Sequence, residues 1–299
     1  MGVIETRGLT KVYGRQRGIE GLDLDIEAGE VFGFLGPNGA GKTTTIRLLL
    51  DLIRPTAGSV AVFGLDGHRD SVAIRRRLGY VPGELTLYES LSGRELLEFF
   101  GHLRGRVPRE RAAELADRLG CELGREIRTL SHGNRQKLGL VAALMSDPEL
   151  IVLDEPTNGL DPLVQAEFQQ LVLEAHEARR TVFLSSHDLR EVERVCDRVG
   201  IIREGRLLAV ERVADLKARE LRRLELVFAA PVPTTAFEGL AGVRDLAIEG
   251  ATLRCAVVGS VDALLKAAAR FETLAITTSE PSLEEIFLAF YGTEAPHAA

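Results

Sequence analysis

Lys42 and Thr43 close a glycine-rich run, Gly36-Pro37-Asn38-Gly39-Ala40-Gly41-Lys42-Thr43-Thr44. The run fits G-x-x-x-x-G-K-[ST], a loop that cradles phosphate. Its glycines let backbone N–H groups turn onto phosphate oxygens with no Cβ in the way. Lys42 is expected to reach the β- and γ-phosphates of a nucleoside triphosphate, and the Thr43 hydroxyl to ligate Mg²⁺. A second pair, Asp154 and Glu155, ends the apolar run Leu150-Ile151-Val152-Leu153. A buried strand that brings acids to its C-terminal edge can serve such a loop: Asp154 the metal, through water, and Glu155 the attacking water, by orienting it or taking its proton. His187 ends the apolar run Thr181–Ser186 and could contact the γ-phosphate. Ser131, next to His132 and Gly133, is placed to cap a helix, and a capped helix N-terminus is an anion site. Tyr13 could stack on an adenine face. Taken singly, Tyr13, Ser131 and His187 read as a strand-end tyrosine, an ordinary cap and a structural histidine.

These residues need elements to position them. Val31-Phe32-Gly33-Phe34-Leu35 reads as a buried strand before the loop, and Thr44 to Leu50 as the helix after it, whose N-terminal dipole favours an anion. Val3 to Arg7 and Leu22 to Ile26 alternate as half-buried strands, and Ser59 to Phe63 and Leu78 to Pro82 read as further strands. Ile74 to Leu78 is basic but one turn long, a solvated helix face. Arg94 to Gly101 and Arg109 to Leu119 carry helical spacing, which predicts a helical insert before the helix from Ser131 to about Ser146. Val199 to Ile202 and Arg206 to Ala209 read as a hairpin across Glu204-Gly205.

From about Leu221 the texture changes. Leu224 to Phe228, Val243 to Ile248, Thr252 to Val258 and Leu274 to Thr278 read as strands, and Asp262 to Phe271 as a helix. Ser282-Leu283-Glu284-Glu285 is a capping box that opens a last helix to about Tyr291. The order suggests a small α+β domain of ferredoxin-like type, with Pro231 and Pro233 in its first connection.

The chain has 299 residues, 45% hydrophobic and 27% charged, with a net charge of -7. That is a globular balance, and its acidity argues against general nucleic-acid binding. The longest apolar run, Leu138 to Met145, is too short to span a bilayer, and Met1 to Glu5 shows no signal-peptide pattern. Cys121, Cys196 and Cys255 are too far apart for a metal-ligand pair and fit a reducing compartment.

In their order, these motifs make the sequence resemble the ATP-binding subunit of an ABC transporter, in particular the bacterial ABC-2-type drug and antibiotic exporters. Tyr13 matches the A-loop aromatic, Gly36 to Thr44 the Walker A loop, and Leu130 to Asn134 the signature. Leu150 to Glu155 matches Walker B, Asn158-Gly159-Leu160-Asp161 the D-loop, and His187 the H-loop. Pro281 to Phe287 resembles the C-terminal extension of the same exporters. Two positions depart from the pattern. His132 and Asn134 replace a glycine and a glutamine of the signature, and Gly83 stands where a glutamine is expected. A glycine cannot ligate Mg²⁺ through a side chain, so Glu84 or a water would have to substitute.

The resemblance implies an α/β fold: a P-loop NTPase of ABC ATPase type over residues 1–220, with a helical subdomain at about 84–148. The accessory α+β domain is expected at 221–292 and a disordered tail at 293–299. It implies ATP and Mg²⁺, with Lys42, Glu155 and His187 carrying hydrolysis and Thr43 and Asp154 serving the metal. It implies a head-to-tail dimer with a second ATP-binding subunit. Ser131 and Gly133 of one subunit would bind the γ-phosphate held by the other, and Asp161 would work across the same interface. The partner is a separate membrane-spanning permease, engaged through the helical insert at the cytoplasmic face of the membrane; no nucleic acid is expected. The rival is a soluble ABC ATPase acting on ribosomes or DNA, against which stand the single cassette and the absence of heptad runs. A P-loop kinase or GTPase would leave Ser131 and His187 unexplained. A regulatory or dimerising role for the C-terminal domain is open.

Overall fold

The computed structural model describes residues 2–14, 16–105, 107–218 and 221–279. The chain divides into two compact units, Met1–Arg212 and Val213–Ala299. The first opens with β1 (Gly2–Tyr13) and β2 (Gln16–Glu27), an antiparallel pair, then β3 (Val31–Leu35), α1 (Lys42–Leu49), β4 (Ala57–Val62) and β5 (Leu65–Asp66). α2 (Ser71–Arg76) leads to β6 (Leu78–Val81), followed by α3 (Gly93–Leu103), α4 (Arg109–Arg118) and α5 (His132–Leu144). β7 (Leu150–Asp154), α6 (Pro162–Glu177), β8 (Thr181–Ser186), α7 (Leu189–Val195), β9 (Arg198–Arg203) and β10 (Arg206–Arg212) complete it.

Two sheets result, one in the order β2-β1-β4-β5 and one in the order β10-β9-β3-β8-β7-β6. The second is parallel from β9 to β6, with β10 an antiparallel edge. β3, β7 and β8 are buried along their whole length, which is why they read as continuous apolar runs rather than alternating ones. Ile4, Leu22, Leu24 and Ile26 of the antiparallel sheet join Phe32, Phe34, Phe183 and Ile46 in one core. The rings of Phe32 and Phe34 lie 6.0 and 5.5 Å from that of Phe183. Each such side chain contributes about 2–3 kcal/mol of burial.

Register brings the strand ends level. Leu35 pairs with Ser186, and Ser185 with Asp154. The residues that follow β3, β7 and β8 therefore share one crevice at the carboxyl edge, where open α/β sheets bind ligands. The expected helical insert is α3, α4 and α5, between β6 and β7. Ser92 and Glu95 make a capping box at the start of α3, and Leu96 and Leu97 bury its inner face. Two helices of this unit had no counterpart in the sequence reading, α6 and α7. α6 starts at a proline after an Asp161 cap, whose Oδ1 accepts from the Leu163 and Val164 N–H groups at 3.1 Å.

The second unit holds α8 (Val213–Ala218), β11 (Leu221–Phe228), β12 (Val243–Glu249), β13 (Thr252–Val258), α9 (Asp262–Ala268) and β14 (Thr273–Ser279). Its sheet runs β12-β13-β11-β14, all antiparallel, the strand order of the expected ferredoxin-like sheet. The first crossover differs. Only a 3-10 turn, Thr234–Ala236, lies between β11 and β12, in a connection that opens with Pro231 and Pro233. α9 ends before Phe271, which turns inward to lie 6.0 and 5.8 Å from the rings of Phe228 and Phe237. The helix expected from Ser282 and the tail from Thr293 lie outside the described residues.

Candidate functional site

The loop after β3 turns where a side chain cannot follow. A Cβ on Gly36 would overlap the Ile202 carbonyl oxygen. Gly41 has φ 109°, and a Cβ there would sit 2.7 Å from Ile19 Cγ2. The loop is pinned by Ala40 N–H donating to Pro37 O at 3.1 Å and Gly205 N–H donating to Ala40 O at 2.9 Å. The first turn of α1 then points N–H groups that have no partner within the helix at the crevice.

Tyr13, Pro37, Asn38, Gly39, Gly41, Lys42, Thr43, Thr44 and Glu155 line one pocket of about 320 Å³, joined by Gly18. Tyr13 stands at its rim, 44% exposed, with its ring against Gly18, where a Cβ would lie 2.9 Å from Cε2. Gly36 and Ala40 form the back of the loop.

Glu155 follows β7 with φ 50°, a left-handed backbone that a residue with a side chain adopts at a cost of about 1 kcal/mol or more. Its N–H donates to the carbonyl and to the hydroxyl of Ser185, both at 3.2 Å. That turn places its carboxylate between two basic groups. Lys42 Nζ lies 3.1 Å from Oε1, an ion pair not aligned as a hydrogen bond, while Nζ donates to the Gly36 and Pro37 carbonyls. His187 Nδ1 is 2.7 Å from Oε2. Lys42 and the Glu155 side chain are 6% and 13% exposed, so the ion pair is screened little by solvent. The expected neighbours Lys42, Glu155 and His187 thus meet at one carboxylate.

Asp154 is fully buried. Ser185 Oγ donates to its Oδ1 at 2.6 Å, while Oδ2 has no hydrogen-bond partner. A buried carboxylate oxygen left open beside a phosphate loop has the hardness and charge for Mg²⁺. Gly83 lies against this residue, a Cβ there falling 3.3 Å from Oδ2. Glu84 is exposed. Among the described residues no group of three or more His, Cys, Asp or Glu side chains could hold a metal by itself.

Ser131, Gly133 and Asp161 are not among the residues lining this pocket. Ser131 Oγ caps α5, accepting from Asn134 N–H at 3.3 Å. Gly133 backs onto the loop before α6, since a Cβ there would be 2.9 Å from the Gly159 carbonyl oxygen, and the His132 ring covers Gly159. Asp161 uses its carboxylate to cap α6. These residues form a second set, set apart from the phosphate loop of their own chain.

Sequence reasoning missed Ser185 and Gln136. Gln136 is 2% exposed and its Nε2 donates to Pro156 O at 3.0 Å, tying α5 to the loop after Glu155. The signal for Ser185 was the polar tip of an otherwise apolar strand. Gln136 gave none, since glutamine on a helix is usually solvated.

The chain is similar along most of its length to known proteins. The family model for ABC transporter matches residues 19–158. The bacitracin transport ATP-binding protein BcrA of Bacillus licheniformis is 41% identical over 226 residues, 75% of this chain and 74% of that protein. The daunorubicin resistance ATP-binding protein DrrA3 of Streptomyces coeruleorubidus is 37% identical over 307 residues, 97% of this chain and 96% of its own. A solved dimer of an ATP-binding cassette in a post-hydrolysis state, bound to ADP and Pi, is 25% identical with a TM-score of 0.64, covering 70% of this chain and 98% of that one. A phosphate loop, an acidic strand end and a histidine in one crevice, with these relatives, place the chain in the ABC transporter family as an ATP-binding, ATP-hydrolysing subunit.

Proposed function

We propose that the chain hydrolyses Mg²⁺-bound ATP between two copies of itself and thereby drives export of an antibiotic or drug-like molecule through a separate membrane permease. The observation that carries the hydrolytic part is Glu155, strained into position and shared by Lys42 and His187. Glu155 orients the attacking water or takes its proton, Lys42 balances charge on the β- and γ-phosphates, and His187 holds the Glu155 carboxylate and reaches toward the γ-phosphate. Thr43 and Asp154 would hold Mg²⁺, Asp154 through water; the ion supplies charge neutralisation on the phosphates. Tyr13 stacks on the adenine.

The set apart from the pocket supports the dimer. Ser131 and Gly133 at the N-terminus of α5, with Asp161, would meet the γ-phosphate held by the loop of the other copy, head to tail. Export is supported by the relatives, which are named for bacitracin transport and daunorubicin resistance. Among the described residues no helix is long and apolar enough to cross a membrane, and the proposal gives the translocation path to another chain. The exposed apolar side chains Tyr88, Phe99 and Leu103 on the helical insert offer that chain a docking surface at the cytoplasmic face.

The test is to extract the tagged chain from its own cells' membranes in mild detergent and identify what accompanies it. A polytopic membrane protein in near-stoichiometric amount is the expected result. Recovery from the soluble fraction with ribosomes or DNA would overturn the export reading.

A further inference from the structure

One buried acid is left unused by this account. Glu191, on α7, is 6% exposed, and α7 begins two residues after His187. Ser186 Oγ donates to its Oε2 at 2.7 Å, the Thr157 hydroxyl lies beside it, and Oε1 has no hydrogen-bond partner.

The two neighbours of this carboxyl belong to the two loops that matter. Ser186 is the last residue of β8. Its Oγ accepts from Asp188 N–H at 3.0 Å, closing the turn that presents His187, and its carbonyl accepts from Gly36 N–H at 3.4 Å. Thr157 lies in the loop after Glu155, where Asn158 N–H donates back to Glu155 O at 3.2 Å.

We propose that Glu191 is a positioning residue for the hydrolytic pair: its buried carboxyl ties the turn carrying His187 to the loop carrying Glu155, so that the two side chains are held as one unit. This rests on the assignment of Glu155 and His187 to hydrolysis, and is independent of what is exported.

The surroundings pull on this acid in two directions, burial favouring the neutral form and the hydroxyls the carboxylate. Around the carboxyl stand Ser186 and Asp188 from the strand end and turn, Thr157 and Glu155 from the loop after β7, and Cys196 at the end of α7. α6, which also packs on α7, presents Gln169, which accepts from Arg194 Nη1 at 3.5 Å. None of the largest influences on the Glu191 charge is a cation. Burial first, then the nearby Glu155 and Asp188 charges, push the acid up to about 7 against the two hydroxyls. Ionisation sets a further negative charge beside Glu155 as the pH rises through about 7.

The test compares Glu191→Ala and Glu191→Gln in the full chain, by ATP turnover across the pH range and by nucleotide affinity. The expected result for Glu191→Ala is a fall in kcat of about tenfold or more, with KM for ATP within about twofold. Glu191→Gln, which keeps the size and a hydrogen-bonding group, should restore kcat to within about threefold. A loss confined to KM, or an alanine variant with wild-type kcat, would overturn the proposal. Should the alanine variant not fold, Glu191→Leu, which fills the site without a hydrogen-bonding group, decides: a fall in kcat with KM kept supports the proposal, and wild-type kcat overturns it. Glu155→Gln and His187→Ala, measured alongside, test the underlying assignment, so indifferent Glu191 variants beside two dead ones would sink the Glu191 role alone.

Discussion

The two units bury different chemistry. Among the described residues, the buried polar and charged side chains, Lys42, Gln136, Asp154, Ser185, Ser186 and Glu191 among them, all fall in the first unit. The core of the second is Leu224, Leu226, Phe228, Phe237, Leu253, Val257 and Leu264, with Cys255 and small alanines. Its surface nonetheless carries the larger groove, about 380 Å³, on the open face of the sheet. There Arg254 is paired with Glu225 at 2.7 Å in water, where such a pair contributes little. Groove size therefore does not mark the chemistry. What marks it is desolvated polar groups and a strained backbone, both costly unless function requires them.

The contrast can be broken or sharpened by mutation. The largest expected effect is at the strained acid. Glu155→Gln should keep ATP affinity and lower turnover about 10²- to 10⁴-fold, read by nucleotide binding and phosphate release; normal turnover would remove the acid from its role. In the second unit, Phe237→Ala should cost about 3–5 kcal/mol of that unit's stability in denaturant melts, yet leave ATP turnover of the folded protein unchanged. A collapse of turnover there would erase the distinction between the units.

Next comes a pH effect. The Glu191 acid is raised from 4.5 to about 7 in the fold, so the unfolded chain loses this proton first and stability falls as pH rises across that window. The difference is worth about 3 kcal/mol, and no more is lost above it. Glu191→Gln should therefore gain stability over wild type from about pH 4.5 to 7, then hold a constant margin, in melts at fixed salt. The smallest effect is on the second surface. Lys266→Gln breaks an exposed pair with Asp262 at 2.7 Å and should cost no more than about 0.5 kcal/mol, vanishing at high salt.

Much of this was legible in the sequence, for reasons that differ by residue. β3 and β7 were readable because a strand covered on both faces is apolar throughout, and the phosphate loop because only glycine fits where Gly36 and Gly41 stand. α6 was hidden: its sixteen residues begin at a proline directly after a motif, and Leu163 at its first turn is 84% exposed, which blurs the apolar stripe. Glu191 was hidden more deeply. Asp188-Leu189-Arg190-Glu191 looks like a solvated, charged helix start, and only the fold turns its last residue inward. The missing crossover helix of the second unit was foreshadowed by its prolines.

The close approach of Gly133 and Gly159 has a mechanical consequence. Neither backbone has room to slide past the other, and the His132 ring closes the gap from above. Ser131, at the head of one segment, and Asp161, at the head of the other, thus ride on a single plate. Any larger residue at position 133 or 159 would act as a wedge, splitting one close contact into two looser segments.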